Sequence, residues 1–264
     1  MIDAIVTTAL RQQHIIEGAA LKLSLEWNLP YVKRGKNSIN SFYKRYNVSN
    51  IIIIDHELNL ILHNKEYEPI KYHPGMSIIR IKRLKAGNND SMVDLLQLKS
   101  EDTVLDCTLG LSSDAIVAQY VAKNGQVTGL ESNKLLALFT HYGLQNYNID
   151  DKDIEAAMRK IQVINSDYNE FLEKAADNSF DYVYFDPMFR NTVETSNSMQ
   201  VFKSHCCKKP LNENAVKNAR RIARKMIILK ERTYSQEFSR LGFKTIYRPN
   251  SSFSYGVIEI GGFI

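Results

Sequence analysis

The chain has 264 residues, of which 44% are hydrophobic and 24% are charged, and it carries a formal net charge of +5. This composition is typical of a folded globular protein rather than a disordered or fibrous one, and the length favours one full α/β domain with a smaller appendage. The three cysteines lack CxxC spacing, no signal-peptide pattern opens the sequence, and the apolar runs are too short to span a bilayer. We therefore expect a cytoplasmic protein with no disulfide framework, metal site or membrane segment.

The pattern of residues 1–72 predicts a small α/β domain, which is a candidate RNA-binding domain. Apolar residues recur at helical spacing from His14 to Trp27, and Ser38 can cap a second short helix that runs towards Tyr46. Two strands are predicted next, at Ile51–Ile54 and Leu58–Leu62.

Residues 73–90 predict a basic linker between the two domains. The whole charge excess lies in the first third of the chain, since residues 1–90 hold 13 Lys/Arg against 8 Asp/Glu and residues 91–264 hold 21 of each. No acidic residue occurs from Ile70 to Asn89, where the basic residues are Lys71, Arg80, Lys82, Arg83 and Lys85. These side chains would suit a phosphate backbone, although a solvated linker has the same composition.

Residues 91–264 alternate short apolar runs with helical patterns, which predicts a mostly parallel sheet with helices on both faces. Seven strands are expected, at Thr103–Thr108, Gln126–Ser132, Ile161–Asp167, Phe180–Asp186, Lys225–Glu231, Thr245–Arg248 and Gly256–Gly261. The last two are separated by a Pro-Asn-Ser-Ser turn and should form an antiparallel hairpin. Ligands of such sheets bind at the carboxyl ends of the strands.

Three of these strand ends carry groups that suit a nucleoside ligand. After the first strand, Gly110 is the pivot of a tight turn into a helix, although the glycine pattern is weaker than a strict dinucleotide fingerprint. Glu131 closes the second strand, where a carboxylate can accept both hydroxyl hydrogens of an adenosine ribose. Asp167 follows the third and could accept from an adenine amino group. Either acid could instead be only a helix cap.

The fourth strand ends in Asp186-Pro187-Met188-Phe189, an arrangement that indicates methylation of an amine. The lone pair of a nucleobase amine is delocalised into the ring, so hydrogen bonds from its N–H groups to Asp186 and the Pro187 carbonyl would raise electron density on nitrogen. Phe189 could stack on the base. The alternative is that Asp-Pro is merely a strand-ending turn and that Phe189 is a core residue.

Several of these segments resemble the bacterial small-subunit ribosomal RNA guanine-N2 methyltransferase family. The likeness lies in Val104–Asp114, Val183–Phe189, Met199–Ser204, Ile227–Arg232 and Phe253–Ile260. The N-terminal domain, with Val6-Thr7-Thr8 and Pro30-Tyr31-Val32, resembles the version found in a Gram-positive branch.

The resemblance implies a class I, Rossmann-like methyltransferase domain that uses S-adenosylmethionine (SAM) and no metal, and that methylates N2 of a guanosine in small-subunit rRNA. The residues expected to bind SAM are Asp106, Thr108, Leu109, Gly110, Asp114, Glu131, Ser132, Asp167 and Asp186. The residues expected to hold the base are Asp186, Pro187 and Phe189. The residues expected to contact RNA are Arg80, Lys82, Arg83, Lys85, Lys230 and Arg232, of which Lys230 and Arg232 sit where they could reach either the RNA or the pocket.

Two other functions remain open from the sequence. The first keeps SAM but changes the acceptor to DNA, a protein amine or a small molecule, and differs only in the acceptor pocket. The second is a non-catalytic RNA-binding protein on the same fold, against which the intact Asp186-Pro187 and Glu131 argue.

Overall fold

The computed structural model describes residues 3–187, 210–246, 248 and 251–261, which fall into two compact units. Among these residues, the first unit comprises 3–73 and 134–148, and the second comprises 74–133, 149–187 and the described residues from 210 onwards. A helix from the middle of the chain is thus part of the first unit. No helix of the described residues is long and apolar enough to cross a membrane.

The first unit is built on a four-stranded sheet in the order β1-β2-β3-β4. Its strands are β1 (Ala4–Thr8), β2 (Asn50–Ile54), β3 (Leu60–Asn64) and β4 (Ile70–Lys71), and its helices are α1 (Gln13–Trp27), α2 (Ile39–Tyr46) and α6 (Lys134–Asn146). β1 pairs with β2 in parallel, and the other pairs are antiparallel. The small α/β fold predicted for this region is confirmed, but β1 had no counterpart in the sequence analysis.

One face of this sheet packs against α2. Ile5, Ile51 and Ile53 are aligned across β1 and β2 and form a buried cluster with Val32 and Phe42. The N-terminus of α2 is capped as predicted, because the side chain of its first flanking residue, a serine, accepts a hydrogen bond from the amide of Ser41 at 3.2 Å.

The second unit is built on a seven-stranded sheet in the order β10-β11-β9-β8-β5-β6-β7. Its strands are β5 (Thr103–Asp106), β6 (Gln126–Glu131), β7 (Gln162–Asn165), β8 (Phe180–Phe185), β9 (Ala223–Arg232), β10 (Lys244–Ile246) and β11 (Phe253–Glu259). The first five are parallel, and β11 is antiparallel to both β9 and β10. Each lies within three residues of its predicted bounds, so the predicted class I methyltransferase fold with a C-terminal antiparallel hairpin is confirmed.

The described helices of this unit connect the strands. They are α3 (Met76–Lys85), α4 (Ser91–Leu96), α5 (Ser113–Val121), α7 (Lys152–Lys160), α8 (Tyr168–Lys174), α9 (Glu213–Ile222) and α10 (Glu237–Arg240). α3 lies in the segment expected to be a basic linker. Its Ser77 and Ile81 are buried, so these residues are part of the folded second unit instead.

The order of the strands fixes where a ligand can enter. The chain runs outwards from β5 to β7, then returns to β8 on the other side of β5. This reversal creates a switch point between β5 and β8, and a crevice opens outside the carboxyl ends of strands at such a point.

Candidate functional site

The turn after β5 is held tightly against β6. Asp106 ends β5, and its Oδ1 accepts a hydrogen bond from the amide of Thr108 at 2.9 Å. Gly110 adopts the left-handed region with φ of 53°. A Cβ at Gly129 on β6 would lie 2.4 Å from the Leu109 side chain, so only glycine lets the turn approach this closely.

Glu131, at the end of β6, is a buried carboxylate bound by backbone amides. Its Oε2 accepts from the Gly110 N–H at 3.2 Å and its Oε1 from the Asn133 N–H at 2.8 Å. Burial raises the pKa of Glu131, and the backbone hydrogen bonds only partly offset that effect. The Ser132 amide and hydroxyl also donate to Glu131, and no cation of the described residues forms an ion pair with it, so its described partners are all neutral donors.

This donor and acceptor set fits the cofactor expected from the sequence. A carboxylate without a cationic partner suits the two hydroxyl groups of a ribose, and the tight glycine turn exposes backbone to a ligand at the switch point. Gly110, Glu131 and Asp106 would therefore hold SAM.

Asp186 follows the last residue of β8, next to β5. Its amide donates to the Thr108 hydroxyl at 2.7 Å, which ties the β8 end to the β5 turn. Its carboxylate Oδ2 accepts from Lys230 Nζ at 2.6 Å, and no described residue donates to Oδ1. The side chain is 27% exposed, so Oδ1 can meet a ligand.

Lys230, on β9, bridges two carboxylates. Its Nζ lies 2.6 Å from Asp186 and 2.9 Å from Asp114, which lies in the first turn of α5. The side chain is only 16% exposed. Lys230 thus has two carboxylate partners within the protein, in the pocket that was one of the two positions expected for it.

Arg80 is also held inside the protein. It forms two hydrogen bonds to Asp90, at 2.7 and 2.8 Å, and a third to Asp114. Tyr184 donates to the second oxygen of Asp114 at 2.9 Å. Asp114, expected to contact SAM, therefore already has three partners within the protein.

The cluster of Arg80, Asp90, Asp106, Asp114, Asp186 and Lys230 holds more acid than base. Burial raises the pKa of Asp106 to about 7, and the Asp114 and Asp186 charges add to the effect. Burial also raises the pKa of Asp186 to about 6; Lys230 lowers this pKa and Asp114 raises it. Asp114 shifts the other way, because Lys230 and Arg80 outweigh its burial and lower its pKa.

An aromatic and cationic group lies beside this cluster. Lys230 Nζ is 5.0 Å from the centroid of the Phe253 ring, and the Arg248 guanidinium is 4.3 Å from the same ring and 5.5 Å from the Tyr255 ring. The Nη1 of Arg248 is buried without a hydrogen-bond partner among the described residues. No role was predicted for Arg248 or Phe253 from the sequence; the available signal was the pair of aromatic residues, Phe253 and Tyr255, at the start of β11.

The other predicted SAM residues lie near the strand ends. Asp167 caps α8, since its Oδ1 accepts from the amide of Asn169 at 2.8 Å, in agreement with the alternative noted from the sequence. Ser132 follows Glu131 and is exposed.

The remaining predicted RNA contacts differ in their surroundings. Lys85 forms ion pairs with Asp151 and Asp153, at 2.7 and 2.6 Å. Lys82, Arg83 and Arg232 are exposed. Phe189, expected to stack on the base, lies outside the described residues, as do Met199–Ser204 of the family resemblance.

A second charge cluster occupies the opposite end of the strands. Arg224 and Lys225, at the start of β9, pair with Asp181 at 2.9 and 3.5 Å, and Lys225 also pairs with Asp102. Ligands of this fold bind at the carboxyl ends of strands, so we interpret this cluster as structural.

Sequence comparison identifies relatives over most of the chain. The model of a family described as "Putative SAM-dependent methyltransferase" matches residues 44–246. "Uncharacterized protein YpiP" of Bacillus subtilis is 36% identical over 256 residues, which cover 96% of this chain and 98% of the relative.

Two further relatives are more distant. Ribosomal RNA small subunit methyltransferase J of Francisella tularensis subsp. novicida is 34% identical over 106 residues, which cover 39% of this chain and 42% of that protein. The crystal structure of the SAM-dependent methyltransferase NGO1261 of Neisseria gonorrhoeae has a TM-score of 0.64 at 15% identity and covers 98% of this chain and 97% of its own, a likeness of fold. The family match and the strand-end geometry lead to one conclusion: this chain belongs to the SAM-dependent methyltransferase family, and its cofactor is SAM.

Proposed function

We propose that this protein methylates an exocyclic amine of a nucleobase, namely N2 of a guanosine in small-subunit rRNA. The observation that carries the proposal is the Asp186 carboxylate, which is held at the switch point by Thr108 and Lys230 while its Oδ1 accepts no hydrogen bond from the described residues. An anchored carboxylate with one unused oxygen suits an amine that must be oriented.

Asp186 and the Pro187 carbonyl would accept hydrogen bonds from the two N–H groups of the amine. Both acceptors draw electron density towards the nitrogen lone pair and hold it in one direction. When bound, SAM supplies a methyl group already activated by its sulfonium. The main task of the chain is then positioning, which can contribute up to roughly 7–11 kcal/mol to lowering a barrier.

Lys230 would keep Asp186 ionised and fixed. Both oxygens of Asp186 are free of a proton, and so can accept hydrogen bonds, only when the carboxylate is ionised. Burial raises the pKa of Asp186, and Lys230 lowers it. Asp114 anchors Lys230 from the other side at 2.9 Å, so the catalytic carboxylate is positioned through a chain of ion pairs. Asp114 and Lys230 are in this proposal positioning residues.

Phe253 and Arg248 favour an aromatic acceptor over an aliphatic amine. The Phe253 ring and the Asp186 carboxylate both lie close to Lys230 Nζ, at 5.0 and 2.6 Å. A base whose amine meets Asp186 would have an aromatic face and a guanidinium within reach, and both groups stack on nucleobases. Such contact requires an unstacked base, as in a loop or a flipped nucleotide.

The choice of rRNA rests on the sequence resemblance and on the name of the Francisella relative. The cations proposed to meet the RNA backbone are Lys82, Arg83 and Arg232, which are exposed. Arg80, Lys85 and Lys230 form ion pairs with carboxylates. The N-terminal unit is proposed as a further RNA-binding element.

The test is transfer of labelled methyl from SAM to small-subunit particles and to naked rRNA from a strain lacking this protein, followed by nucleoside analysis. Labelled N2-methylguanosine that requires Asp186 would support the proposal. The Asp186→Asn variant should lose at least about a hundredfold in turnover, because the neutral amide is a weaker hydrogen-bond acceptor for the amine than the carboxylate. It should keep its SAM affinity within about threefold.

Two results would contradict the proposal. SAM binding without labelled RNA would move the acceptor to DNA, protein or a small molecule. Absence of SAM binding, measured by the lack of a rise in melting temperature, would favour a non-catalytic RNA-binding protein.

A further inference from the structure

The first unit contains a buried arginine, Arg34, whose charge has no partner among the described residues. Arg34 is 8% exposed, and its Nε and Nη1 are buried without a hydrogen-bond partner among the described residues. Its described ring contact is with Phe42 of α2, whose centroid lies 5.6 Å from the guanidinium carbon. Aromatic contact stabilises a guanidinium but satisfies none of its N–H donors.

No carboxylate in the part of the chain that the structure describes forms an ion pair with Arg34. The sequence has no acidic residue from Trp27 to Ile54, a stretch with five basic residues. Arg34 forms no ion pair with a described residue, and burial lowers its pKa. Burial and the nearby Arg34 charge lower the pKa of His63.

A second polar group on the adjoining helix is also unsatisfied. The hydroxyl of Tyr43, which follows Phe42 in α2, is buried without a hydrogen-bond partner among the described residues. Buried polar groups in folded proteins are nearly always hydrogen-bonded, and buried charges are paired. Exceptions of this kind point to a ligand that completes the site.

The surroundings of Arg34 favour a phosphate. Lys33, Lys36, Lys44 and Arg45 are exposed on the same loop and helix. Of these four, only Lys33 forms an ion pair with a described residue, Glu17, at 3.8 Å. Tyr46 is 39% exposed. A local field of one sign attracts polyanions, and exposed aromatic residues beside cations stack on single-stranded bases.

We propose that Arg34 is the centre of a phosphate-binding site in the first unit, and that the phosphate belongs to a strand of the RNA substrate. The part concerning RNA rests on the proposed function; the phosphate site does not. Arginine suits this task because its planar donors match phosphate oxygens.

The first experiment compares the full-length protein in sodium phosphate and in sodium chloride of equal ionic strength. Phosphate should raise the melting temperature of the wild type and of Lys65→Met, which removes one exposed charge from the same unit. Phosphate should have no effect on Arg34→Met. In chloride alone, Arg34→Met should melt at or above the wild-type temperature, because it removes an uncompensated buried charge.

The second experiment measures binding of a fluorescein-labelled, single-stranded RNA of about 20 nucleotides by anisotropy. Arg34→Met should weaken the Kd about tenfold, the usual effect of losing a hydrogen bond to a charged group, whereas Lys65→Met should change it less than twofold. The slope of log Kd against log salt concentration should fall in Arg34→Met by about the contribution of one phosphate contact. Arg34→Lys, which keeps the charge without the planar donors, should lie between the two.

Different outcomes overturn different statements. If Arg34→Met responds to phosphate like Lys65→Met, there is no phosphate site at Arg34. If Arg34→Met melts well below the wild type in chloride, or fails to fold, and Arg34→Lys keeps the full phosphate response and RNA affinity, the arginine is structural. If the phosphate effect depends on Arg34 but the RNA affinity does not, the RNA assignment is wrong. Failure of methyl transfer to rRNA would overturn the proposed function and leave the phosphate titration unchanged.

Discussion

Replacement of Lys230 by methionine separates the positioning of Asp186 from the stability of the fold. Lys230 is 16% exposed and is shared by Asp186 and Asp114. Removing one partner of a buried ion pair costs about 3–5 kcal/mol, because the remaining charge is left uncompensated. Asp114 keeps Arg80, so we expect the lower end of this range, about 3 kcal/mol, and a melting temperature lower by about 6–12 °C.

The same change should shift the pH dependence of methyl transfer. Lys230 lowers the pKa of Asp186, which is raised to about 6 by burial. Only the ionised carboxylate serves as the acceptor, so wild-type kcat should rise as the pH passes upwards through about 6. Without Lys230 the pKa rises further, and the acidic limb of the profile should move to higher pH by at least about one unit.

Lys225→Met provides the matched control. Lys225 lies on the same strand, is 25% exposed and also bridges two carboxylates, Asp102 and Asp181, but at the opposite strand ends. Its removal should destabilise the fold comparably and leave the pH profile of kcat unchanged. Equal profiles for Lys230→Met and wild type, or equal shifts in both variants, would refute the positioning role of Lys230.

Three further variants test the SAM side of the site. Glu131→Gln should weaken the Kd for SAM by about tenfold or more, because the amide offers one acceptor fewer to the ribose hydroxyls; an unchanged Kd by calorimetry would remove Glu131 from the cofactor site. Gly129→Ala should cost about 1–3 kcal/mol in unfolding free energy and weaken SAM binding, because the new Cβ would displace Leu109 and its turn; wild-type values for both would contradict the close approach. Asp106→Asn should stabilise the protein by up to about 4 kcal/mol at pH 8 and hardly at pH 4. The folded-state pKa of Asp106 is raised to about 7, so the free-energy cost of ionising Asp106 in the folded protein grows as the pH rises from about 4 to 7. Urea unfolding at the two pH values measures the difference, and an equal effect at both would show that Asp106 does not titrate in this range.

Local patterns in the sequence were sufficient to predict where the strands of residues 91–264 lie along the chain and which residues stand at several of their ends. Glu131 and Asp186 could be placed at strand ends because each follows an apolar run, and parallel strands present their carboxyl ends at one edge. Ser38 could be identified as a cap from its position alone. β1 was missed because Ala-Ile-Val-Thr-Thr is short, and its pairing partner β2 begins only at Asn50.

Local sequence patterns could not predict which charged residues of the site pair with each other. From the sequence, Arg80 was expected to contact RNA because it lies in a basic run, and Lys230 could be assigned to either the RNA or the pocket because it lies on a predicted strand. In the structure both bind Asp114, which is 34 residues from Arg80 and 116 from Lys230.

The sequence by itself determined the alternation of strands and helices and the identity of the strand-end acids, because hydrophobic periodicity and turn chemistry act over a few residues. Tertiary structure alone decided which cations remain exposed and which are paired, because that depends on distances between side chains far apart in the chain. The same limit applies to Arg34: that it is buried with no ion-pair partner among the described residues depends on its surroundings, which only the folded first unit creates.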